Sequence, residues 1–389
     1  MNSKMKEIEM KKLFALLLII AMMVCMVTAC SKSNSSTDTS TSTSATTDTT
    51  TDTAADATTE TEKGYFKVGY AAITMDGDFF VTLGNALAQG CVDRGLIEKT
   101  NDFVILDAAW DTGAEVENMD TFIAQGYDVV FIDTTNPDTM IPLIDQATEA
   151  GITVICVDSY VSECSRVTVV YGDNLGNGFA AGKTYAEAKG DDFEIYSIML
   201  SGIKGNIAGE QRRIGMMAGV LSVRLDLSQD DAVEEATKMN DELIANNYAE
   251  RPDAKFVIAG QGWGSWSTEG IMDDANDLIV KTSGKLTTTF SEEDLMTYGA
   301  IQACNDAGIT GVDHVAAADG LKSAFDKIDA GEMFCCSLNS PTLVGDLAAQ
   351  VAYEIKVEGK DPTSYPDTMT PDAVCVTKDN IDQYRDLAF

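Results

Sequence analysis

A strand followed by an amphipathic helix recurs along this sequence from Lys67 onward, and this alternation constrains the fold more than any other feature. The first unit opens with an apolar, β-favouring run from Lys67 to Ile73. A polar turn at residues 74–78 follows, at the carboxyl end of a strand, where open α/β sheets bind their ligands. The residues at helical spacing after it are Phe79, Phe80, Leu83, Leu87 and Cys91.

The same unit repeats in two successive series, before and after about Tyr171. Near-continuous apolar strands indicate parallel sheets covered on both faces, so we predict an α/β protein with two lobes. The predicted strands are 103–108, 129–132, 153–157, 195–200, 256–259, 286–290, 315–317, 333–337 and a last one near 373–376. The predicted helices include 113–125, one through Leu143, one capped at Asp173, one from about Gln211, 228–247, one through Phe325 and 343–358.

Residues 1–29 have the pattern of a secretory signal. Lys11 and Lys12 precede an apolar run from Leu13 to Val27. This run is shorter than the ~20 residues that a membrane-spanning helix needs. The segment that starts at Met10 has the features of a complete signal peptide on its own, so an internal start there stays an alternative.

The end of this segment, Val27-Thr28-Ala29-Cys30, resembles the bacterial lipobox, in which a cysteine after small residues takes a diacylglyceryl group. The resemblance implies an extracytoplasmic protein that a lipid on Cys30 attaches to the cell membrane, with a plain secretory signal as the alternative. Residues 31–63 are almost only Ser, Thr, Asp and Ala, which is too few apolar residues to pack. We predict that residues 30–63 form a disordered tether.

Composition and motifs disfavour several classes of function. The formal net charge of −35 argues against nucleic acid and anionic lipid as partners. Residues after Cys30 include seven scattered cysteines and one histidine, His314, so we expect buried thiols and neither a metal site nor a catalytic Cys/His or Ser/His pair. Neither phosphate-binding glycine motif occurs. We therefore predict a protein without a cofactor and without enzymatic activity.

Polar and aromatic residues follow the predicted strands of both series. In parallel sheets such residues converge on one cleft between the lobes. Aromatic faces stack on the C–H faces of a sugar ring, while carboxylates, amides and guanidinium groups bond its hydroxyls. The set comprises Asp76, Asp78, Phe79, Phe80, Asp158, Arg212, Trp263, Trp266, Glu293, Asp319 and Asn339. Together these residues predict a sugar site.

At these positions the chain resembles the bacterial type I periplasmic sugar-binding family, in its ribose-binding branch. The resemblance spans about Lys67 to Val376. The matching stretches are Gly77-Asp78-Phe79-Phe80, Val157-Asp158, Arg212-Arg213-Ile214-Gly215, Glu293-Asp294 with Met296 and Gly299-Ala300, Asp319-Gly320, and Asn339-Ser340-Pro341. The family pattern implies that its two Phe residues pack against the sugar and that Arg212 binds it.

The chain differs from the ribose-binding branch at four site positions, and these differences bear on which ligand is bound. Gly77 and Glu293 stand where the branch has Asn, Ser159 where it has Arg, and Asn339 where it has Gln. One cation is lost and one carboxylate is gained, so we expect a neutral or amine-bearing sugar or polyol rather than an anion. Trp266 is the preferred third aromatic residue of the site, and Trp263 stays a rival.

The resemblance implies two Rossmann-like lobes joined by a three-crossing hinge. The implied lobes are residues 64–171 with 340–371 and residues 172–339 with 372–389. It also implies a monomeric substrate-binding component of an ABC importer, whose partners are a monosaccharide or polyol and the membrane permease. A sensory protein that presents a sugar-like signal molecule to a membrane receptor is the alternative.

Overall fold

Two mostly parallel β-sheets organise the protein in a computed structural model, which describes residues 64–389. The predicted signal peptide, the lipidation site at Cys30 and the tether lie outside the described residues. In the described range, no helix combines the length and the apolar character that crossing a membrane requires.

The first sheet is entirely parallel, with strand order β12-β5-β4-β3-β1-β2. Its strands are β1 (Val68–Ala72), β2 (Val104–Asp107), β3 (Val129–Ile132), β4 (Thr153–Val157), β5 (Val169–Val170) and β12 (Thr368–Met369). Apolar clusters cover both faces of this sheet. The helices that supply them are α1 (Asp78–Asp93), α2 (Thr112–Gln125), α3 (Pro137–Glu149) and α10 (Pro341–Lys356). We call this half the first lobe.

The second sheet has strand order β13-β11-β10-β9-β6-β8-β7 and is parallel except for its two edge strands. Its strands are β6 (Ile195–Ser201), β7 (Ala249–Arg251), β8 (Phe256–Trp263), β9 (Thr288–Ser291), β10 (Asp313–Ala316), β11 (Cys335–Ser337) and β13 (Cys375–Thr377). Its helices are α4 (Asn174–Lys189), α5 (Ile207–Arg224), α6 (Gln229–Asn246), α7 (Thr268–Lys281), α8 (Asp294–Asp306) and α9 (Lys322–Ala330). We call this half the second lobe.

The chain passes from one sheet to the other at three places. It enters the second lobe between β5 and α4, returns to the first between β11 and α10, and enters the second again between β12 and β13. The α/β class and the parallel sheets predicted from the alternation are confirmed by this architecture.

Two predicted boundaries lie four residues from those observed, whereas the others listed differ by one or two residues or agree. The helix predicted from about Gln211 begins at Ile207, because Asn206 caps it by accepting a hydrogen bond from the Gly209 amide at 2.9 Å. Gly209, a residue type that usually favours turns, therefore lies inside α5. The strand predicted over 256–259 extends to Trp263, since glycines within it allow close packing against side chains of α7. Strands β5, β7 and β12, each of two or three residues, were not predicted.

Helices α4 and α5 pack with their backbones in contact. A Cβ atom added at Gly178 or Gly182 would lie 2.2 or 2.0 Å from a backbone carbonyl oxygen of α5. At Gly215 and Gly219 it would lie 2.3 or 2.2 Å from a carbonyl oxygen of α4. Only glycine fits at such an approach. The helix that carries Arg212 is thereby fixed to the helix that follows the first chain crossing.

The cysteines of the described residues are free thiols. Five are buried, namely Cys91, Cys156, Cys304, Cys335 and Cys336, whereas Cys164 and Cys375 are half-buried. The interpretation of most of them as buried thiols is confirmed.

Candidate ligand-binding site

Arg212 lies at the centre of the candidate site and is buried. It projects from the second turn of α5, and its Nε donates a hydrogen bond of 2.9 Å to Oδ1 of Asn174. One terminal nitrogen donates to the backbone oxygen of Glu292 at 3.3 Å and lies 3.7 Å from the carboxylate of Asp319. The guanidinium therefore has an acidic partner and a fixed orientation.

Asp158 reaches the same place from the first lobe. It follows β4 with a positive φ of 58°, and its amide donates to the backbone oxygen of Val170 at 2.9 Å. Burial raises the pKa of its carboxyl to about 6, against the lowering effect of Arg212, and Asp319 raises it further. Arg212 and Asp319 of the second lobe therefore act electrostatically on a carboxyl group of the first lobe.

Asn339 adds an amide beside Asp319. Its backbone N–H donates to the Asp319 carbonyl at 3.0 Å. Burial raises the pKa of the Asp319 carboxyl, while Arg212 and the Asn339 side chain act to lower it. Among the described residues, Oδ1 of Asn339 is buried and has no hydrogen-bond partner. A larger residue at Gly172 would displace the Asn339 side chain, since an added Cβ would lie 1.8 Å from that oxygen.

Glu293 is the N-cap of α8 as well as a predicted ligand residue. Its carboxylate accepts hydrogen bonds from the amides of Leu295 and Met296 at 2.8 and 2.7 Å. Burial raises its pKa to about 8, Asp319 raises it further, and the two capping amides act against both. Asp319 thus acts electrostatically on Glu293, whose carboxylate lone pairs are partly committed to capping the helix.

The acids on either side of Glu293 hold the local backbone and a second arginine. Glu292 is fully buried, pairs with Arg213 and accepts a hydrogen bond from the Gly202 amide. Asp294 accepts from the amides of Gly320 and Leu321, which follow Asp319. These contacts fix the loops that carry the site.

The two candidate tryptophans lie in different surroundings. The Trp266 ring covers Gly202, where an added Cβ would lie 2.3 Å from it, and its centroid lies 5.9 Å from Cζ of Arg212. The Trp263 ring instead has Lys204 Nζ at 5.5 Å and Arg213 Cζ at 5.6 Å, and it lines a separate cavity of about 590 Å³. The structure therefore brings Trp266, and not Trp263, to Arg212.

Phe79 and Phe80 form an edge-to-face pair with centroids 5.4 Å apart on the first turn of α1. Asp78 begins that helix and is exposed. The structure thus gathers six predicted residues into one cluster, and it places Asp78, Phe79 and Phe80 on the adjoining helix of the first lobe. The six are Asp158, Arg212, Trp266, Glu293, Asp319 and Asn339.

Two residues of this region were missed in the sequence. Asp133 follows β3, is buried, and has one carboxylate oxygen without a partner among the described residues. Burial raises its pKa well above the ordinary value, and Asp158 raises it further. Trp110, which follows β2, is exposed and packs edge-to-face on Phe80 at 5.5 Å. Their positions just after two first-lobe strands were the available signal.

The cluster is suited to a neutral molecule with several hydroxyl groups. Carboxylates accept from hydroxyls, Arg212 donates to them, and Trp266 and the Phe pair offer apolar faces. Within residues 64–389, no three His, Cys, Asp or Glu side chains are grouped so that they could hold a metal ion.

Comparison with known proteins identifies the family. Residues 68–361 match the family model described as the periplasmic binding protein domain. The chain belongs to this family. Its relatives include the ribose import binding protein of Haemophilus influenzae, 25% identical over 76% of this chain and 88% of the relative. The corresponding Bacillus subtilis protein is 23% identical over 75% and 82%.

A solved structure supports the same fold for this family member. The crystal structure of a periplasmic ribose ABC transporter from Conexibacter woesei matches with a TM-score of 0.66 and 18% identity. The match covers 83% of this chain and 96% of that one. The predicted fold class of type I periplasmic binding proteins is confirmed.

Proposed function

We propose that this chain is the substrate-binding component of an ABC importer and captures a monosaccharide or a related polyol between its two lobes. Membership of the periplasmic binding protein family supports this proposal, as do relatives named for ribose import. The observation that carries it is the pairing of Arg212 with Asp319 in the second lobe, whose charges also act on Asp158 of the first lobe. The proposal involves binding only, with no chemical step.

The proposed ligand is neutral or bears an amine. Asp319 raises the pKa of Asp158 and of Glu293, and Asp158 raises that of Asp133, so these four acids form one electrostatically linked group, and a negative charge on the ligand would meet strong repulsion. A hydroxyl group, by contrast, can donate to a carboxylate whether or not the neighbouring acid is protonated.

Binding is proposed to occur by closure of one lobe on the other. We take residues 64–171 with 340–371 as one lobe and 172–339 with 372–389 as the other, joined by the three chain crossings. A ligand held by Asp158 on one side and by Arg212 on the other stabilises the closed arrangement, because its contacts are complete only there. The membrane permease would recognise the closed form.

The protein is further proposed to work as a monomer outside the cytoplasm, attached to the membrane by a lipid on Cys30. The lipobox-like sequence before Cys30 and the family's periplasmic location support this placement. The long polar segment 31–63 would let the lobes reach the permease.

A thermal-shift screen of the full chain against pentoses, hexoses, amino sugars, polyols and amino acids tests the proposal. A ligand that binds only the native state raises the melting temperature. We expect a rise with one sugar or polyol that is lost in Arg212→Ala and Asp319→Ala. A rise with an amino acid alone, or tight binding of a sugar phosphate, would contradict the proposed ligand class.

A further inference from the structure

Four aromatic rings form a continuous edge-to-face row along the edge of the candidate site. The row runs from Phe389 to Phe79, Phe80 and Trp110, with successive centroid distances of 5.9, 5.4 and 5.5 Å. Three of these rings belong to the first lobe, on α1 and just after β2. Phe389 does not.

Phe389 is held by the second lobe. Its carbonyl oxygen accepts a hydrogen bond of 3.0 Å from the amide of Lys322, the first residue of α9. The preceding residues Leu387 and Ala388 pack against the apolar cluster that contains Phe325. Lys322 lies three residues after Asp319, so Phe389 is anchored to the loop that carries a candidate ligand residue.

The contact between Phe389 and Phe79 therefore joins the two lobes. The contact is relevant to the ligand because the Phe79 ring is one of the two predicted to pack against it. An edge-to-face pair fixes the relative orientation of both rings. The ring of Phe389 is half-buried, as are those of Phe79 and Phe80. Moving the lobes apart would expose apolar surface on both partners.

We propose that Phe389 is an affinity-determining residue of the ligand site, contributed by the second lobe, which orients Phe79 and makes this contact only when the lobes are closed. This inference rests on the proposed function for its ligand. The contact adds stability to the closed, ligand-bound form, so it slows ligand release more than it speeds capture.

Calorimetry and stopped-flow fluorescence with the sugar found in the screen test the inference. Phe389→Ala in the full chain should raise Kd about three- to tenfold, mostly through a faster dissociation rate, since a ring pair and its apolar contact are lost. Phe389→Leu, which keeps an apolar side chain, should have a Kd between that of the parent chain and that of Phe389→Ala. Phe193→Ala removes a half-buried ring of the second lobe that packs within that lobe, and should leave Kd within about twofold. Equal dissociation rates for the parent chain and Phe389→Ala would overturn the proposal.

A double-mutant cycle identifies the partner ring. If Phe389 acts through Phe79, the loss of affinity in Phe79→Ala with Phe389→Ala should be smaller than the product of the two single losses. Independent, multiplicative losses would contradict the role of Phe389 in orienting Phe79.

A readout without ligand separates this inference from the proposed function. Cysteines introduced by Phe79→Cys and Phe389→Cys should be joined by a short bis-maleimide, because even transient closure brings them together. The control is the double variant Phe79→Cys with Phe193→Cys, whose two introduced cysteines should not be joined by the reagent. If no sugar binds the parent chain but the cross-link forms, the proposed function fails and the contact stands. Absence of the cross-link would reject the contact.

Discussion

Arg212 donates a hydrogen bond of 2.9 Å from its Nε to the side-chain oxygen of Asn174, the first residue of α4. This bond connects the guanidinium of the candidate site to the helix that starts where the chain first enters the second lobe. The orientation of Arg212 is therefore set by a side chain next to a chain crossing, and one of its terminal nitrogens lies 3.7 Å from the carboxylate of Asp319.

We expect Arg212→Lys to weaken ligand binding by about 10- to 100-fold, because a lysine cannot bond Asn174 and the ligand at the same time. Thermal stability should change little, since the positive charge beside Asp319 is kept. Calorimetry with the ligand and a melting curve without it measure the two effects.

The neighbouring Arg213→Lys is the matched control for that substitution. Arg213 pairs with the buried Glu292 and donates to Asn240 at 2.8 Å, so its contacts belong to the core of the second lobe. We expect Arg213→Lys to lower the melting temperature and to change Kd less than Arg212→Lys does. A larger loss of affinity in Arg213→Lys than in Arg212→Lys would contradict the assignment of Arg212 to the ligand.

Trp266→Leu should raise Kd at least about tenfold, because the indole lies beside Arg212 and supplies a face for the sugar ring. Trp263→Leu should leave Kd within about twofold, since its ring faces Lys204 and the separate cavity of the second lobe. Titration calorimetry of both variants decides between the two tryptophans. Loss of affinity in Trp263→Leu alone would favour the rival residue.

The free energy of unfolding should fall as pH rises from about 4 to 8. Burial raises the pKa of Glu293 from 4.5 and of Asp294 from 3.8 to about 8, and Asp319 adds to both shifts. Between those values the folded chain holds protons that the unfolded chain has released, so higher pH favours unfolding. Denaturant titrations at several pH values measure the slope.

Asp294→Asn should flatten this pH dependence and raise stability at pH 8. Both backbone amides bond the same oxygen of Asp294, and the other oxygen has no partner among the described residues. An asparagine can keep both bonds and loses the titrating group. Each 1 kcal/mol gained should raise Tm by about 2–4 °C. An unchanged slope in this variant would show that Asp294 does not titrate with a raised pKa.

Gly182→Ala should lower the free energy of unfolding by about 1–3 kcal/mol, despite the better helix propensity of alanine. The new Cβ would lie 2.0 Å from the carbonyl oxygen of Met216, and backbone atoms of α5 would have to move. Urea titration measures the loss. Gly64→Ala, with no atom within 4 Å of the added Cβ, is the control and should be neutral. Equal stability of the two variants would contradict a close contact of the helices.

The alternation of strands and helices was predictable because period and turn chemistry are local properties of the sequence. Strands β3 (Val129–Ile132) and β4 (Thr153–Val157) have the predicted bounds. The start of α5 was placed four residues too late because Gly209 is of a residue type that disfavours helices. Gly209 allows close packing inside α5, because a Cβ added there would lie 2.4 Å from Oε2 of Glu292. That neighbour is more than eighty residues away in the sequence.

The site was predicted in part, and the misses have the same cause. Residues just beyond strands, such as Asp158 and Asp319, could be identified because strand ends converge in a parallel sheet. The capping role of Glu293 and the separate surroundings of Trp263 depend on how loops fold back, which spacing does not encode. Phe389 could not be anticipated, since its contact with Phe79 crosses between elements 310 positions apart.

The backbones of α4 and α5 touch through four glycines, so a fluorescent biosensor built on this chain would inherit a rigid second lobe. A larger residue at Gly215 or Gly219 of α5 would not shift Arg212 by a small amount, because it would push the two helix backbones apart. Asp133, Trp110 and Phe389 lie outside this pair of helices, so substitutions there leave the contact between α4 and α5 intact. A selection for new analytes would therefore gain most from libraries at these three positions.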